Sequence, residues 1–463
     1  MLFSGIPFLF YFLPCVLFVY FIVPQKGRNA VLLAASLFFY GWGEPKFLLF
    51  MVFSIVQGYV FARLIGRGRR KKLFLTLSLV LSFALLGYCK YADFFIENFN
   101  AVTWLSLPLL KIALPIGISF YTFQIASYEI DVYRGDVAAQ HNFIDFAAYV
   151  AMFPQLIAGP IVRYRDIAPQ LKERTHSLEA AASGASRFAV GLGKKVLVAN
   201  VLAQLVSAYK ASAEQTALYA WLYAIAFTLQ IYFDFSGYSD MAIGLGRIFG
   251  FTFPENFRYP YIAKSITEFW RRWHMSLGTW FRDYLYIPLG GSRCSRIRHI
   301  FNILVVWMAT GFWHGAAWNF VFWGLFYAVL LMAEKFFLLP ALKKGRVLPH
   351  VYVLLAVTLG FVLFDAASLK DALHQLGTLF GAGTASGLGA EALYMLRSYG
   401  VVLALAVLGA TPLPAMLWKN AQEAKSLAPV LTVAEPLCTL ALLVLCTAFL
   451  VDGSFNPFLY FRF

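Results

Sequence analysis

Long apolar stretches recur along the whole of this chain, and they constrain its fold more than any other feature. A helix needs about 20 apolar residues to cross a hydrocarbon core of about 30 Å. Here 60% of the residues are hydrophobic and 13% are charged, which is about half the charged share of an ordinary soluble domain. Because helices satisfy their own backbone hydrogen bonds inside lipid, we predict an all-α polytopic membrane protein.

The apolar stretches leave room for about eleven or twelve spans in one transmembrane domain, residues 1–463. The first stretch lacks a basic n-region and a convincing small-residue cleavage site, so we expect it to be a span and not a removed signal peptide. The apolar stretches lie near residues 3–23, 30–43, 47–65, 73–89, 112–133, 143–162, 185–208, 216–238, 299–314, 316–340, 350–368, 392–418 and 430–451.

Basic residues fall in short clusters between the apolar stretches, and these clusters set the predicted orientation. Although the net charge is +15, clustering of this kind indicates cytoplasmic loops and not a surface for nucleic acid. Placing every cluster in the cytoplasm puts the N-terminus outside. The clusters are Lys26/Arg28, Arg67/Arg69/Arg70/Lys71/Lys72, Arg163/Arg165/Lys172/Arg174, Arg293/Arg296/Arg298 and Lys343/Lys344/Arg346.

This count of spans requires one apolar stretch between residues 90 and 162 not to cross, and 112–133 is the natural candidate. It carries Pro115, Glu129 and Asp131. Helix breakers and ionisable groups at membrane depth are tolerated where the backbone is buried in protein or lines a cavity. We therefore predict a re-entrant segment here, and a sharply tilted span is the alternative.

The segment GFWHGAAWNFVFWG, residues 311–324, places an imidazole in an apolar and tightly packed setting. His314 lies inside a helix pair predicted over residues 299–340. Burial disfavours the charged form of imidazole and leaves it able to act as a base. A functional role is one interpretation, and a hydrogen bond to a neighbouring helix is the other. The residues flanking His314 are Gly311, Trp313, Gly315 and Trp318.

The stretch 257–299 is too polar to cross but rich in aromatic residues, so we predict helices lying at the cytoplasmic face. Helical spacing within it places Phe269, Trp273, Leu277, Trp280 and Tyr284 on one face. Three arginines lie away from that face, where they could bind the phosphates of a lipid or cofactor, or only anchor the segment. His274 could be catalytic, orienting or structural. The three arginines are Arg271, Arg272 and Arg282.

A third polar segment, YFDFSGYSDMAIGLGRIFGF, spans residues 232–251. Its Asp234 and Asp240 could orient an imidazole or cap helix ends, and capping is the favoured interpretation. The chain has no P-loop, no G-x-S-x-G and no H-E-x-x-H, so ATP-driven transport, α/β-hydrolase and zincin chemistry lack support. The five cysteines form no C-x-x-C pattern, and no metal site is predicted.

Six segments together make the chain resemble the membrane-bound O-acyltransferase (MBOAT) family, within it the alginate O-acetylation group of bacteria. The resemblance covers nearly the whole chain, and the combination of segments is highly specific. One departure is Asp365, where many relatives have Arg, and we assign it no catalytic role. The segments are LPIGISFYTFQ at 114–124, FPQLIAGPIVRY at 153–164, residues 232–251, FWRRWHMSLGTWFRDYLYIPLGG at 269–291, residues 311–324 and SFNPFLYFRF at 454–463.

The resemblance implies a ring of transmembrane helices around a central tunnel, with His314 as the catalytic histidine and His274 at the second signature position. No bound cofactor is expected. The donor substrate would be acetyl-CoA or another acyl thioester, such as one on a carrier protein, reaching the tunnel from the cytosol. Side chains expected to hold the donor are Arg271, Arg272, Trp273, Arg282, Trp313 and Trp318.

The implied function is a relay of acetyl groups across a bacterial cell membrane for O-acetylation of an exopolysaccharide. A separate extracytoplasmic acetyltransferase is the expected partner, alongside membrane lipids. Three alternatives stay open: D-alanyl transfer to lipoteichoic acid, transfer of a longer acyl chain to a lipid or protein, and non-enzymatic transport with His314 in the permeation path. The last lacks the paired halves common in transporters.

Overall fold

The computed structural model describes residues 1–43, 45–157, 159–384, 387–424 and 426–453, and of residue 428 the backbone alone. Within these residues every regular element is a helix, so the all-α prediction is confirmed. Eight of these helices are long and apolar enough to cross a membrane. They are Pro45–Gly66, Lys71–Thr103, Leu178–Ala211, Ala217–Ile248, Trp318–Lys344, Leu348–Asp365, Ala390–Gly409 and Pro429–Asp452.

Eight is fewer than the predicted eleven or twelve spans, and the difference lies in shorter or more polar helices. The first apolar stretch forms Phe8–Ile22, which is shorter than the eight. The stretch 143–162 is broken into Phe143–Ala151 and Phe153–Leu156. Whether such elements cross the membrane, and whether 112–133 is re-entrant, stay predictions. The signature segment 454–463 lies outside the described residues.

The chain divides into two compact units, and the first comprises Met1–Ala185 with Met241–Pro254. Phenylalanine rings form part of its core. The ring centroids of Phe12 and Phe153, for example, lie 5.2 Å apart. The α-helices that lie wholly within it are Leu13–Ile22, Arg28–Gly43, Leu48–Gly66, Lys71–Thr103, Ile118–Arg134, Phe143–Ala151, Phe153–Leu156 and Tyr164–Lys172.

The ionisable residues of the 112–133 stretch are buried in protein. Helix Ile118–Arg134 begins after Gly117, whose φ of 75° is one that glycine adopts without strain. Glu129 and Asp131 are both fully buried. The Ser78 hydroxyl donates a hydrogen bond of 2.5 Å to Glu129. A carboxyl group in this part of the chain therefore finds a protein donor where lipid would offer none.

The second unit comprises Ser186–Asp240 with Glu255–Phe463. Helix Leu178–Gly193 begins in the first unit and ends in the second, and Ala217–Ile248 runs the other way. Buried aromatic side chains dominate the core of the second unit. Its other α-helices are Asn200–Ala211, Ile266–Trp270, Met275–Phe281, Arg296–His314, Trp318–Ala333, Leu339–Lys344, Leu348–Asp365, Leu369–Leu379, Ala390–Gly409, Leu413–Glu423 and Ala428–Asp452.

Glycines bring the two helices around His314 into close contact. Helices Arg296–His314 and Trp318–Ala333 form the predicted pair, which we call the histidine hairpin. A Cβ atom on Gly311 would overlap the carbonyl oxygen of Phe320, and one on Gly324 would overlap the carbonyl oxygen of Trp307. Small residues at such positions let helix backbones approach closely. The glycines of the 311–324 segment therefore fix the position of the helix end that carries the histidine.

The segment after the long helix Ala217–Ile248 differs from the continuous helix that its spacing predicted. It forms two short helices, Ile266–Trp270 and Met275–Phe281. The interruption falls at His274, whose φ of 44° lies in the left-handed region. The apolar side chains assigned to one face are nevertheless all buried: Phe269, Trp273, Leu277, Trp280 and Tyr284.

The expectation that Asp234 and Asp240 cap helix ends is wrong, because helix Ala217–Ile248 continues through both residues. Asp234 is ion-paired with Lys195 at 2.5 Å, and both side chains are buried. Asp240 is bound by Arg187 at 2.8 Å and by Lys194 at 2.7 Å. Carboxylates that are buried, as in Asp234, or half-buried, as in Asp240, need such partners, so the segment supplies structural ion pairs.

Candidate active site

A cavity of about 690 Å³ in the second unit is lined by both histidines that the resemblance selected, His314 and His274. We call it the histidine cavity. Its volume falls in the range of small-molecule sites, about 300–1,000 Å³. Its wall combines side chains from the short helices with side chains from the histidine hairpin, and it includes Trp270, Trp307 and Thr310. The folding of 257–299 against the hairpin thus creates the site.

His314 is the last residue of its helix and is 9% exposed. Three aromatic rings surround its imidazole nearly perpendicularly, with centroid distances of 5.0 Å to Trp313, 5.2 Å to Trp323 and 5.3 Å to Phe364. Edge-to-face contacts of this kind are favourable and directional. The packing therefore holds the ring in one orientation at the cavity wall.

His274 is 2% exposed and lies at the start of helix Met275–Phe281. Its Nδ1 lies 3.1 Å from the Oδ1 atom of Asn256. Burial lowers the pKa of His274 to about 3, because the charged imidazolium loses its hydration there. At neutral pH this side chain is therefore uncharged, and its unprotonated ring nitrogen can accept a hydrogen bond.

Trp313 joins the two histidines. Its ring centroid lies 5.0 Å from that of His314 and 6.1 Å from that of His274. Trp313 itself is 4% exposed. Two imidazoles packed on one buried indole therefore share a site that excludes much of the solvent.

The structure separates the side chains predicted to hold a donor into two groups. Arg271, Trp273 and Arg282 line the histidine cavity. Arg272 and Trp313 do not line it, and the guanidinium of Arg272 is bound to Glu268 at 2.8 Å. Trp318 is 51% exposed and is absent from the described lining. A role in donor binding stays a prediction for all of these residues.

Sequence reasoning missed Lys335, which also lines the histidine cavity. It follows helix Trp318–Ala333 and carries no local motif, so only the folded hairpin brings it to the site. With Arg271 and Arg282, it makes the charged part of the described lining wholly cationic. Such a wall attracts anionic groups, and guanidinium groups suit phosphates in particular.

Glu334, next to Lys335, anchors the short helix that carries Trp270. Its carboxylate is fully buried and accepts hydrogen bonds from the backbone nitrogens of Ile266 and Thr267 at 2.5 and 2.9 Å. The first turn of a helix leaves such nitrogens without intrahelical partners, and a carboxylate there is stabilised by the helix dipole. This contact fixes one wall of the cavity.

No group of three or more His, Cys, Asp or Glu side chains in the described ranges could hold a metal ion.

Comparison with known proteins connects this site to a family. The profile of MBOAT, the membrane-bound O-acyltransferase family, matches residues 132–339, which include both histidines. The chain is 41% identical, over an alignment of 499 positions, to "Probable alginate O-acetylase AlgI" of Azotobacter vinelandii, covering 100% of both chains. It is 45% identical over 393 residues to the protein of the same name in Pseudomonas aeruginosa, covering 83% of this chain and 76% of the relative.

A relative with a different name extends the same similarity. The "Peptidoglycan O-acetyltransferase" of Helicobacter pylori is 35% identical over 421 residues, covering 82% of this chain and 80% of that protein. Similarity at this level over most of both chains means a shared fold. The chain is therefore a multi-pass membrane enzyme, an O-acyltransferase that belongs to the membrane-bound O-acyltransferase family.

Proposed function

We propose that this O-acyltransferase relays acetyl groups from cytosolic acetyl-CoA across a bacterial cell membrane for O-acetylation of an alginate-like exopolysaccharide. The observation that carries the proposal is the histidine cavity, where two buried imidazoles share a wall with cationic side chains. Full-length similarity to proteins named as alginate O-acetylases supports the choice of acetyl group and acceptor. The similarity to a peptidoglycan O-acetyltransferase supports an acetyl group on a glycan hydroxyl more generally.

The cationic wall supports an acyl-CoA donor. Arg271, Arg282 and Lys335 would bind its phosphates, because Arg and Lys are the side chains that recognise phosphate best. The positive-inside rule favours a cytoplasmic position for the basic segment 257–299. The N-terminus would then lie outside the cytoplasm, and the donor would enter from the cytosol.

A second cavity supports an approach to His314 by the acceptor. It has a volume of about 430 Å³, and its lining includes Phe364 and Asp365. The Phe364 ring also packs on His314, with a centroid distance of 5.3 Å. Asp365 is bound by Lys210 at 2.5 Å, which places a polar pair in the lining of that cavity. A tunnel through the membrane would join the two cavities beside His314.

In the proposed reaction, His314 takes the proton from the acceptor hydroxyl as the hydroxyl oxygen attacks the thioester carbonyl carbon. The carbon–sulfur bond then breaks, and the sulfur receives the proton from the imidazolium. General-base catalysis of this kind contributes about 10²–10⁴-fold to the rate. An alternative path has the imidazole carry the acetyl group briefly before the hydroxyl attacks. The aromatic lining would exclude water from either path.

We expect an extracytoplasmic acetyltransferase to receive the acetyl group and complete the transfer to polysaccharide. The test uses membrane vesicles of both orientations, with radiolabelled acetyl-CoA added outside and the partner protein or polysaccharide supplied on the opposite side. The proposal predicts labelling of the acceptor only when the cytoplasmic face meets acetyl-CoA. Labelling from either face, or none, would contradict it.

Two further arms of this experiment separate the alternatives. A D-alanyl carrier protein as the donor, with lipoteichoic acid as the acceptor, should give no transfer if acetyl relay is correct. A peptidoglycan acceptor tests the chemistry named for the Helicobacter pylori relative. Movement of a solute without consumption of acyl-CoA would instead indicate a transporter.

A further inference from the structure

His274 adopts a left-handed backbone conformation that is uncommon for residues other than glycine, and Asn256 helps to hold it there. Its φ and ψ are 44° and 52°, in the left-handed region. Non-glycine residues in this region are strained and persist where their surroundings over-determine them. Asn256 is fully buried, and its backbone oxygen accepts a hydrogen bond of 2.9 Å from the Met275 backbone nitrogen. The loop carrying Asn256 therefore clamps the chain directly after His274.

The side chain of Asn256 fixes the protonation pattern of the imidazole. Its Oδ1 accepts hydrogen bonds from the backbone nitrogen of Ser276 at 3.2 Å and from the Ser276 hydroxyl at 2.9 Å. A backbone N–H can only donate, so this atom is an oxygen acceptor. The Nδ1 of His274, 3.1 Å from the same oxygen, must then carry the proton.

A proton on Nδ1 leaves Nε2 of the neutral ring as an unprotonated acceptor. That Nε2 atom is buried and has no hydrogen-bond partner among the described residues. Leaving a buried acceptor unsatisfied is costly, so such an atom calls for a donor from a bound molecule. Because His274 lines the histidine cavity, a substrate there can supply the missing N–H or O–H.

We propose that Asn256 is a positioning residue: it holds His274 in the Nδ1-protonated tautomer, so that Nε2 accepts a hydrogen bond from the bound substrate. In this state His274 cannot donate a hydrogen bond from Nε2 to an oxyanion. The inference rests on the proposed function, because it assigns a role within the same cavity. It divides the work so that His314 removes the proton and His274 orients the substrate.

The loop that carries Asn256 is itself anchored. The preceding residue, Glu255, is bound by both terminal nitrogens of Arg187 at 2.5 Å. Arg187 also binds Asp240, so the ion pairs of the 232–251 segment support the position of Asn256. Removing the Arg187 side chain should therefore also weaken the positioning of His274 by Asn256.

Charged groups on the surrounding elements do not offset the effect of burial on His274. Burial lowers its pKa to about 3 and keeps the ring neutral. Two carboxylates nearby are already ion-paired: Asp234, which precedes the Phe235 ring that contacts His274, is paired with Lys195, and Glu255 is paired with Arg187. The other ionisable neighbours line the cavity, and they are Arg271, Arg282, Lys335 and His314.

The experiment compares Asn256→Ala, Asn256→Asp and Ser276→Ala in the full-length protein in membranes. Asn256→Ala should reduce acetyl transfer from acetyl-CoA on the order of 10²-fold, because the imidazole loses its orientation. Ser276→Ala removes one hydrogen bond to the same oxygen and leaves the imidazole in place, so acetyl transfer should fall by only about threefold.

Asn256→Asp keeps the acceptor but adds a negative charge beside Nδ1, which raises the pKa of His274. Its activity should fall at a higher pH than that of the native protein, because a protonated Nε2 cannot accept. A purely structural role for Asn256 would leave the two pH profiles parallel. Parallel profiles, or equal losses in Asn256→Ala and Ser276→Ala, overturn the proposal.

Thermal unfolding gives a readout that does not need the acyl donor. A buried His274 with a lowered pKa makes the native protein less stable as the pH falls below the ordinary histidine value of about 6.5, since the unfolded chain takes up the proton first. Asn256→Asp raises the pKa of His274 in the folded protein and so brings it closer to the pKa in the unfolded chain. The Tm of this variant should therefore fall less than that of the native protein between about pH 7.5 and about pH 5. An equal fall overturns the inference, whereas absence of acetyl transfer in the native protein refutes only the proposed function.

Discussion

Replacing Gly311 by alanine should separate the two helices of the histidine hairpin and disable the enzyme. The added Cβ would overlap the carbonyl oxygen of Phe320, which belongs to the backbone and cannot rotate away. Relieving that overlap requires the helices to part by about 1 Å. Gly311 lies one turn before His314, so the imidazole would move relative to Trp323 and Phe364.

A displacement of about 1 Å near a reacting group can cost about 10²-fold in rate. Overpacking costs about 1–3 kcal/mol in addition, so folded protein must be matched before activities are compared. The assay is acetyl transfer per unit of folded protein in membranes. Gly400→Ala is the matched control, because Gly400 is also helical and a Cβ there meets no atom within 4 Å. If Gly311→Ala were as active as Gly400→Ala, close packing at the hairpin would not position the histidine.

Three further outcomes follow from the structure. Arg271→Ala should raise the KM for acetyl-CoA, whereas its neighbour Arg272, paired with Glu268 away from the cavity, should have little effect when replaced by alanine; equal effects would contradict donor binding by the cavity wall. Trp313→Ala should abolish most activity and Trp318→Ala should retain it, because Trp313 packs on both imidazoles whereas Trp318 is exposed. The measurement is kcat, and a larger loss in Trp318→Ala than in Trp313→Ala would contradict this prediction. Burial, with nearby arginines, lowers the pKa of His176. Stability should therefore decline below about pH 6.5, where this histidine takes up a proton in the unfolded chain before it does so in the folded protein. Tm measurements should show a smaller decline in His176→Gln.

The sequence predicts the helical class and the position of His314 well, because both depend on local features. Long apolar stretches require helices, and the glycines around residues 311–324 indicate close packing whatever the neighbours are. The predicted burial of one face of the 269–284 stretch also follows from its spacing. Each of these signals lies within a few turns of one helix.

The break at His274 could not be predicted from spacing, because the apolar period continues across it. What holds the left-handed conformation is Asn256, eighteen residues earlier in the chain and within no motif that names its role. The same limit explains why the sequence predicts one role for both Arg271 and Arg272. Arg271 and Arg272 directly follow helix Ile266–Trp270, and only the folded segment shows that Glu268 binds the second of them.

Asp234 and Asp240 show a different limit. Their residue types fit helix capping, which is a local property, but their partners come from helix Leu178–Gly193 and from the π-helical segment Lys194–Ala199 that follows it. Long-range ion pairs of this kind leave no trace in the spacing of one segment.

The most direct measurement compares the native enzyme with His314→Ala, using radiolabelled acetyl-CoA and co-expressed extracytoplasmic partner or polysaccharide in membranes at matched expression. Removal of the imidazole should reduce labelling by about 10²–10⁴-fold, the usual contribution of a general base. Labelling that is unchanged in His314→Ala would contradict the catalytic role of this histidine.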